Sequence, residues 1–218
     1  MKPQQQKPLQ GNETRCAWCT RDENYIDYHD TEWGRPVGDD RELFERLVLE
    51  GMQAGLSWIT VLKKRDVMRH QFRYFDIPWL AVQDESRLQE WLSDPGLIRH
   101  RGKLSSVVTN ARCVLEFHGS DARHTGESGD VLDGDSFAGW LWSFAPRAHI
   151  PCSDGRAPAY TKEAQAMAKA LKARGFRFVG PTTCYAFMQS VGMVNDHLPE
   201  CLAYDSCLAH WQHPLRPS

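Results

Sequence analysis

Residues 169–191 read KALKARGFRFVGPTTCYAFMQSV. Apolar and small residues recur at helical spacing up to Arg174, break at Gly175 and resume after Gly180-Pro181. Gly175 suits the left-handed position that ends a helix, and Pro181 suits the start of the next, where its missing N–H is no loss. The stretch predicts helix, short hairpin, helix over about 163–192. Such a hairpin can aim backbone N–H groups and a helix N-terminus at a phosphate, with Arg174 and Arg177 adding charge. Gly175, Arg177 and Gly180 are the candidate contacts to DNA. A tight helical corner that uses glycine for geometry alone would read the same way.

Outward from the hairpin the helical period continues. Leu43, Phe44, Leu47 and Val48 form an apolar stripe in a helix over 39–52 with acidic residues in its first turn. Further helices are predicted over 66–74, 85–92, 101–117, 136–144, 162–174 and 182–191. No alternating run long enough for a strand occurs, so the expected fold class is all-α, one domain over 15–205. Residues 1–14 lack apolar periodicity and read as a disordered extension, 118–135 as an acidic, glycine-rich loop and 206–218 as a tail.

Composition narrows the classes. The chain has 218 residues, 41% hydrophobic and 25% charged, which is enough to bury a core and is unlike a disordered protein. No stretch approaches a membrane span and Met1 to Asn12 is not signal-like, so a soluble, cytoplasmic protein is expected. A net charge of −2 gives no global pull toward nucleic acid, so any DNA contact must come from a local basic face. Seven cysteines, an odd number, argue against a complete disulfide framework and for metal ligation or buried thiols.

Two constellations carry chemistry. His197 and Cys201 are four apart, which would put both on one side of a helix beginning near Leu198; with Cys16 and His29 they could close a tetrahedral zinc site joining the two ends of the domain. By spacing alone Cys19 or Cys207 could substitute, and buried thiols with partnered imidazoles would look alike. Glu50 falls at the edge of its helix's apolar arc, where an ionised side chain is costly unless something hydrogen-bonds to it. A bound ligand could be that partner. Trp18, Tyr25, Tyr28, Trp33 and Trp58 supply flat faces that stack on bases and attract cations, although eight tryptophans also simply build a core.

The stretches RCAWC at 15–19, YIDYHDTEWGRPV at 25–37, LFERLVLEGMQAGLSWITVLKKR at 43–65, LIRHRGKL at 97–104 and 169–197 together resemble the DNA-3-methyladenine glycosylase I family of the helix-hairpin-helix superfamily. The resemblance implies an all-α glycosylase fold that grips alkylated double-stranded DNA by the hairpin and rotates the damaged nucleotide into a pocket. It implies one structural zinc on Cys16, His29, His197 and Cys201, with Cys19 left out. It also implies a base-recognising carboxylate at Glu50, pocket aromatics at Tyr28, Trp18, Trp33 and Trp58 with Tyr25 close by, and a wedge at Ala54, Gly55 and Leu56. The extension, the acidic segment and the tail after Asp205 have no clear counterpart.

Methylation of adenine at N3 makes the base a good, neutral leaving group, so strong acid catalysis is unnecessary. The superfamily's usual aspartate position falls on Asn195, with Asp196 one residue out of register, which leaves Glu50 as the candidate catalytic group. No lysine stands out as a Schiff-base nucleophile, so hydrolysis without a lyase step is expected, and one nucleotide needs only a monomer. Two other classes fit less well. A zinc hydrolase needs an open coordination position, and a non-enzymatic DNA-binding module leaves Glu50 and its aromatics unexplained.

Overall fold

Side-chain caps set where most helices begin. In the computed structural model, which describes residues 14–19, 22–117, 136–148 and 157–211, Asp22 caps α1 (Glu23–Thr31) and Asp39 caps α2 (Asp40–Gln53). Two short helices follow, α3 (Trp58–Leu62) and α4 (Arg65–Gln71). Asp76, Asp84 and His100 then cap α5 (Ile77–Ala81), α6 (Glu85–Ser93) and α7 (Arg101–Leu115). Ser136 caps α8 (Phe137–Trp142) and Thr161 caps α9 (Lys162–Ala173); α10 (Pro181–Ser190) starts at Gly180 with no side-chain cap, and α11 (Tyr204–Trp211) ends the described chain. Among the described residues there is no strand, only an isolated parallel bridge between Thr14 and Cys201, and no helix is long and apolar enough to cross a membrane.

The core is built around α2. Leu43, Phe44 and Leu47 are fully enclosed, and α3, α7, α8 and α10 all pack against this helix. Each such side chain contributes roughly 1.5–3 kcal/mol of burial. A second layer packs α7 on α5 and α6, and the hairpin helices α9 and α10 lie against each other. Because α2 is enclosed along nearly its whole length, its charged residues Glu45, Arg46 and Glu50 are buried with it.

The helices read from the sequence are all present, with differences that have physical causes. The helix expected to reach Tyr74 stops at Gln71, because Arg73, Tyr74 and Phe75 make a left-handed turn at φ 47°, 54° and 58°. That conformation costs roughly 1–2 kcal/mol per residue. It is offset by full burial of Phe75 against Phe72 and by stacking of Arg73 4.6 Å over Trp79. No helix begins near Leu198: a turn closed by the Cys201 N–H donating to the Leu198 carbonyl (2.8 Å) takes its place. Helix α11 extends into the segment read as a tail, with Cys207 buried and the Trp211 indole donating to the Met193 carbonyl. Thr14 takes part in the fold rather than in an extension, while residues 1–13 and the acidic segment 118–135 lie outside the described residues.

Candidate active site

Helix α2 carries Glu50 one turn beyond Arg46, so both side chains lie on one face. Across from them α1 presents Tyr28 and α3 presents Trp58, with ring centroids 5.2 Å apart. The Arg46 guanidinium lies 5.7 Å over the Tyr28 ring. Glu32 fixes Arg46: its carboxylate accepts two bonds from Arg65 (2.7 and 2.8 Å) and pairs with Arg46 at 2.9 Å. Burial pushes the Glu32 carboxyl up, but the Arg65 hydrogen bonds and the two guanidinium charges outweigh it and hold it below the usual range.

Glu50 has no such support. It is 6% exposed, and no hydrogen bond reaches its carboxyl group among the described residues. Burial raises its pKa to about 8, opposed only by the Arg46 charge. The Tyr28 hydroxyl and the Trp58 indole N–H are buried and likewise unpartnered. Burial also raises the Tyr28 pKa, so the phenol stays protonated. A carboxyl group, a hydroxyl and an indole N–H thus share one aromatic enclosure without satisfying one another, an arrangement that costs free energy until a polar ligand enters.

The other sequence-selected aromatics form an adjoining wall. Trp18 meets Tyr25, His29 and Trp33 edge-on at 5.7, 5.3 and 4.9 Å, and Trp33 packs 4.5 Å from His197. Tyr25 uses its hydroxyl structurally, accepting the Ile59 N–H (3.2 Å) at the start of α3, a helix without a side-chain cap at Ser57.

Behind this wall the ligand atoms of Cys16, His29, His197 and Cys201 all lie within 4.8 Å of one another, and all four residues are buried. The Cys201 sulfur is 3.4 Å from His29 Nε2 and 3.4 Å from His197 Nδ1, and the Cys16 sulfur is 3.6 Å from His197 Nδ1. Those separations match the edges of a tetrahedron with metal–sulfur and metal–nitrogen bonds of about 2.3 and 2.0 Å. The other ring nitrogens are oriented from behind: His29 Nδ1 pairs with Asp30 (2.7 Å), itself gripped by Arg15, and His197 Nε2 faces the Trp33 carbonyl (3.2 Å). The Cys201 thiol is driven down by hydrogen bonding with Cys16, then with His197 and His29. A buried thiolate calls for a compensating cation, and the donor set fits a four-coordinate metal with no open position. Cys19 instead directs its thiol at the Tyr25 carbonyl, and Cys207 faces the Trp33 carbonyl.

Gly192 makes this closure possible. At φ +73° its absent side chain leaves room for the 34–36 backbone, and a Cβ there would stand 2.7 Å from both Arg35 C and Pro36 N. Asn195 then donates to the Tyr204 carbonyl, while Asp196 accepts from Tyr185 (2.6 Å) and Gln189 (2.7 Å).

Two exposed features flank the enclosure. Beyond α2, Ala54, Gly55 (φ +73°) and Leu56 form a projecting loop in which Leu56 is 40% exposed. Between α9 and α10 the hairpin turns at Gly175 (φ +91°) and Phe178 (φ +58°), with Phe176 and Val179 buried and Arg177 exposed. Asn110 on α7 holds the hairpin by exchanging two hydrogen bonds with the Arg177 backbone, at 2.8 and 3.1 Å. Arg174 is engaged otherwise, its guanidinium 4.2 Å over Phe117 and 4.9 Å over Trp140. Arg46, with its anchors Glu32 and Arg65, escaped sequence reasoning; its signal is a cation one helical turn before a buried carboxylate.

Fold and site together define an all-helical domain that buries one carboxyl group among aromatic side chains, beside an exposed loop and a helical hairpin. Comparison with known proteins specifies the class. The methyladenine glycosylase family model matches residues 18–204. The chain is 43% identical over 193 residues to DNA-3-methyladenine glycosylase 1 of Escherichia coli (strain K12), covering 87% of this chain and 96% of that one. It superposes on a crystal structure of 3-methyladenine DNA glycosylase I with a TM-score of 0.78 at 44% identity, covering 88% of this chain and all of the other. A variant of 3-methyladenine DNA glycosylase I solved in complex with 3-methyladenine gives a TM-score of 0.75 at 29% identity, with 87% and 96% coverage. The chain belongs to the methyladenine glycosylase family, enzymes that hydrolyse N-glycosyl bonds.

Proposed function

We propose that this protein excises 3-methyladenine from alkylated duplex DNA by hydrolysing its N-glycosidic bond, leaving an abasic site with no lyase step. The observation that carries the reading is Glu50, a buried carboxyl group beside Tyr28 and Trp58 that no hydrogen bond reaches among the described residues. A flipped base that is cationic before cleavage supplies what the enclosure lacks. Its charge is attracted to the Tyr28 and Trp58 faces and favours loss to solvent of the proton that burial holds on Glu50, whose carboxylate then accepts a hydrogen bond from the exocyclic amine. Trp18, Trp33 and Tyr25 form the outer wall that positions these groups. The C1′–N9 bond breaks with its electron pair leaving on the base, water adds to C1′, and the water's proton passes to solvent. Glu50 steadies the developing positive charge on the sugar.

The DNA is held by the two exposed features. The hairpin at Gly175, Arg177 and Gly180 and the uncapped start of α10 meet backbone phosphates, as a helix-hairpin-helix does, and Ala54, Gly55 and Leu56 fill the vacated stack. Gly180 supports this: its φ of −72° suits any residue and a Cβ there would meet nothing within 4 Å, so the fold does not require the glycine while close approach of a phosphate would. Zinc is the metal proposed for Cys16, His29, His197 and Cys201. When bound it neutralises the thiolates and ties the segment carrying Trp18, Tyr25 and Tyr28 to the chain's other end. The protein acts as a monomer on chromosomal DNA in the cytoplasm.

The test is chromatographic: purified protein is incubated with methylated duplex DNA, and the free bases are quantified against a Glu50→Ala control. Release of 3-methyladenine without 7-methylguanine is expected, with the control inactive. A folded protein that releases no base, or one undisturbed by the substitution, would overturn the reading.

A further inference from the structure

Lys103 is a lysine almost entirely removed from water, 5% exposed, with no carboxylate partner among the described residues. Its ammonium donates instead to two backbone carbonyls, Met52 (2.8 Å) and Ala54 (2.6 Å), at the C-terminal end of α2. The Met52 carbonyl belongs to the last turn of α2 and the Ala54 carbonyl to its C-cap, where the helix leaves acceptors unsatisfied and where a cation is favoured by the helix dipole. Burial lowers the lysine's pKa.

The second of these carbonyls opens the projecting Ala54–Leu56 loop. Its other hydrogen bonds are local, Ala54 N–H to Gly51 and Leu56 N–H to Gln53, and a Cβ on Gly55 would touch nothing within 4 Å. Among the described residues, the hydrogen bond that reaches this loop from another helix is the one Lys103 donates to the Ala54 carbonyl.

The same turn of α7 faces the hairpin. A Cβ on Gly102 would stand 3.5 Å from the Phe178 ring, and the His100 ring lies edge-on to Phe178 at 6.0 Å. The Lys103 N–H in turn donates to His100 Nδ1. One turn of α7 therefore touches the hairpin on one side and the end of α2 on the other.

We infer that Lys103 is a positioning residue, setting the Ala54–Leu56 loop at a fixed offset from the hairpin so that wedge and phosphate grip engage one DNA duplex together. The inference rests on the DNA-repair reading above, and it concerns the polymer rather than the base. Glu50 lies two residues before the first clamped carbonyl, within the helix.

The test compares the unsubstituted protein with Lys103→Met and Lys103→Arg. Single-turnover release of 3-methyladenine from methylated duplex DNA is measured beside binding of free 3-methyladenine, followed by tryptophan fluorescence, and thermal melting. Lys103→Met is expected to slow excision roughly 10- to 100-fold, the scale of a small misplacement, while free-base affinity stays within about twofold. Lys103→Arg, which can donate to the same carbonyls, is expected to restore most of the rate. Excision by Lys103→Met within about twofold of the unsubstituted rate, or a parallel fall in free-base binding, would overturn the inference. If Lys103→Met does not fold, Lys103→Arg and Lys103→Gln carry the same comparison. An unsubstituted protein that releases no 3-methyladenine brings down the functional reading instead.

Discussion

Gly51 and Phe178 meet so closely that a side chain on Gly51 would crowd the hairpin: a Cβ there would lie 3.2 Å from Phe178 Cβ and 3.4 Å from its carbonyl oxygen. Through this contact the helix that bears Glu50 seats the hairpin. Alanine in place of a mid-helix glycine ordinarily stabilises by about 1 kcal/mol. Here the nearest neighbour is the Phe178 Cβ, fixed directly to the hairpin backbone, and the preceding residue is pinned by Asn110, so it cannot yield easily. Gly51→Ala is expected to lose that gain and to be destabilised by about 1 kcal/mol, the scale of mild overpacking. Urea unfolding checks the sign; a more stable Gly51→Ala would show that the hairpin is free to shift.

The raised pKa of Glu50 fixes the sign of a stability experiment. An unfolded glutamate titrates near 4.3, whereas burial raises this one to about 8 in the fold. Between those values the native state holds a proton that the unfolded state has lost, so this group's contribution falls as pH rises. Glu50→Gln removes the slope. The variant should match the unsubstituted protein below about pH 4 and exceed its stability increasingly toward pH 8, by roughly 3–5 kcal/mol at the limit. Excision should be lost at every pH. Denaturant melts across the range, with base release measured in parallel, give both readouts; a flat difference in stability would mean that the carboxyl group is solvated.

Tyr28→Phe makes the companion case. Its hydroxyl is buried without a partner, and removing such a group is neutral or stabilising, by up to about 1–3 kcal/mol. If the hydroxyl waits for the base, free 3-methyladenine should bind about tenfold more weakly to the variant even though it melts no lower. Tryptophan fluorescence titration together with a melt decides it, and unchanged affinity would place the hydroxyl outside the ligand's reach.

The hairpin is legible in sequence because its punctuation is local, with Gly175 at positive φ and Pro181 opening α10. Glu50 is legible because a charge on an apolar arc is a local conflict. Helix α1 is not, because its buried face consists of Tyr25, Tyr28 and His29, side chains whose polar atoms disguise a core-facing pattern. The pairing of His197 with Cys201 is legible in spacing, yet its geometry is not. A turn through Pro199 and Glu200 brings the two together, and Gly192 admits that segment against Gly34–Pro36. Arg46 and Lys103 escape because their partners, Glu32 and the carbonyls of α2, are supplied by tertiary packing alone.

The four-residue cluster makes a prediction independent of activity. Metal analysis of purified protein should find about one zinc per chain, and Cys201→Ala should lose it. Loss of the metal leaves Cys16 and two buried imidazoles without their charge balance and frees the bridge from Thr14 to Cys201. The variant should therefore melt several degrees lower and expose the Trp18 segment to protease. A metal-free protein of full stability would sink the assignment. Cys19→Ala, whose thiol points at the Tyr25 carbonyl, should keep its zinc.

Gly180→Ala separates the hairpin's two explanations. If the glycine serves only the turn, alanine is tolerated or harmful to the fold alone. Its φ of −72° and the open space around it remove any structural objection, so stability should change by no more than about 0.5 kcal/mol. If a phosphate approaches the backbone there, the added methyl stands in its way. Affinity for an abasic duplex should then fall about tenfold, or about 1.4 kcal/mol, while free 3-methyladenine binds as before. Fluorescence anisotropy on a labelled duplex, at one fixed salt concentration, reads the effect. Unchanged affinity would move the phosphate contact away from the start of α10 and leave Arg177 and Gly175 to carry it.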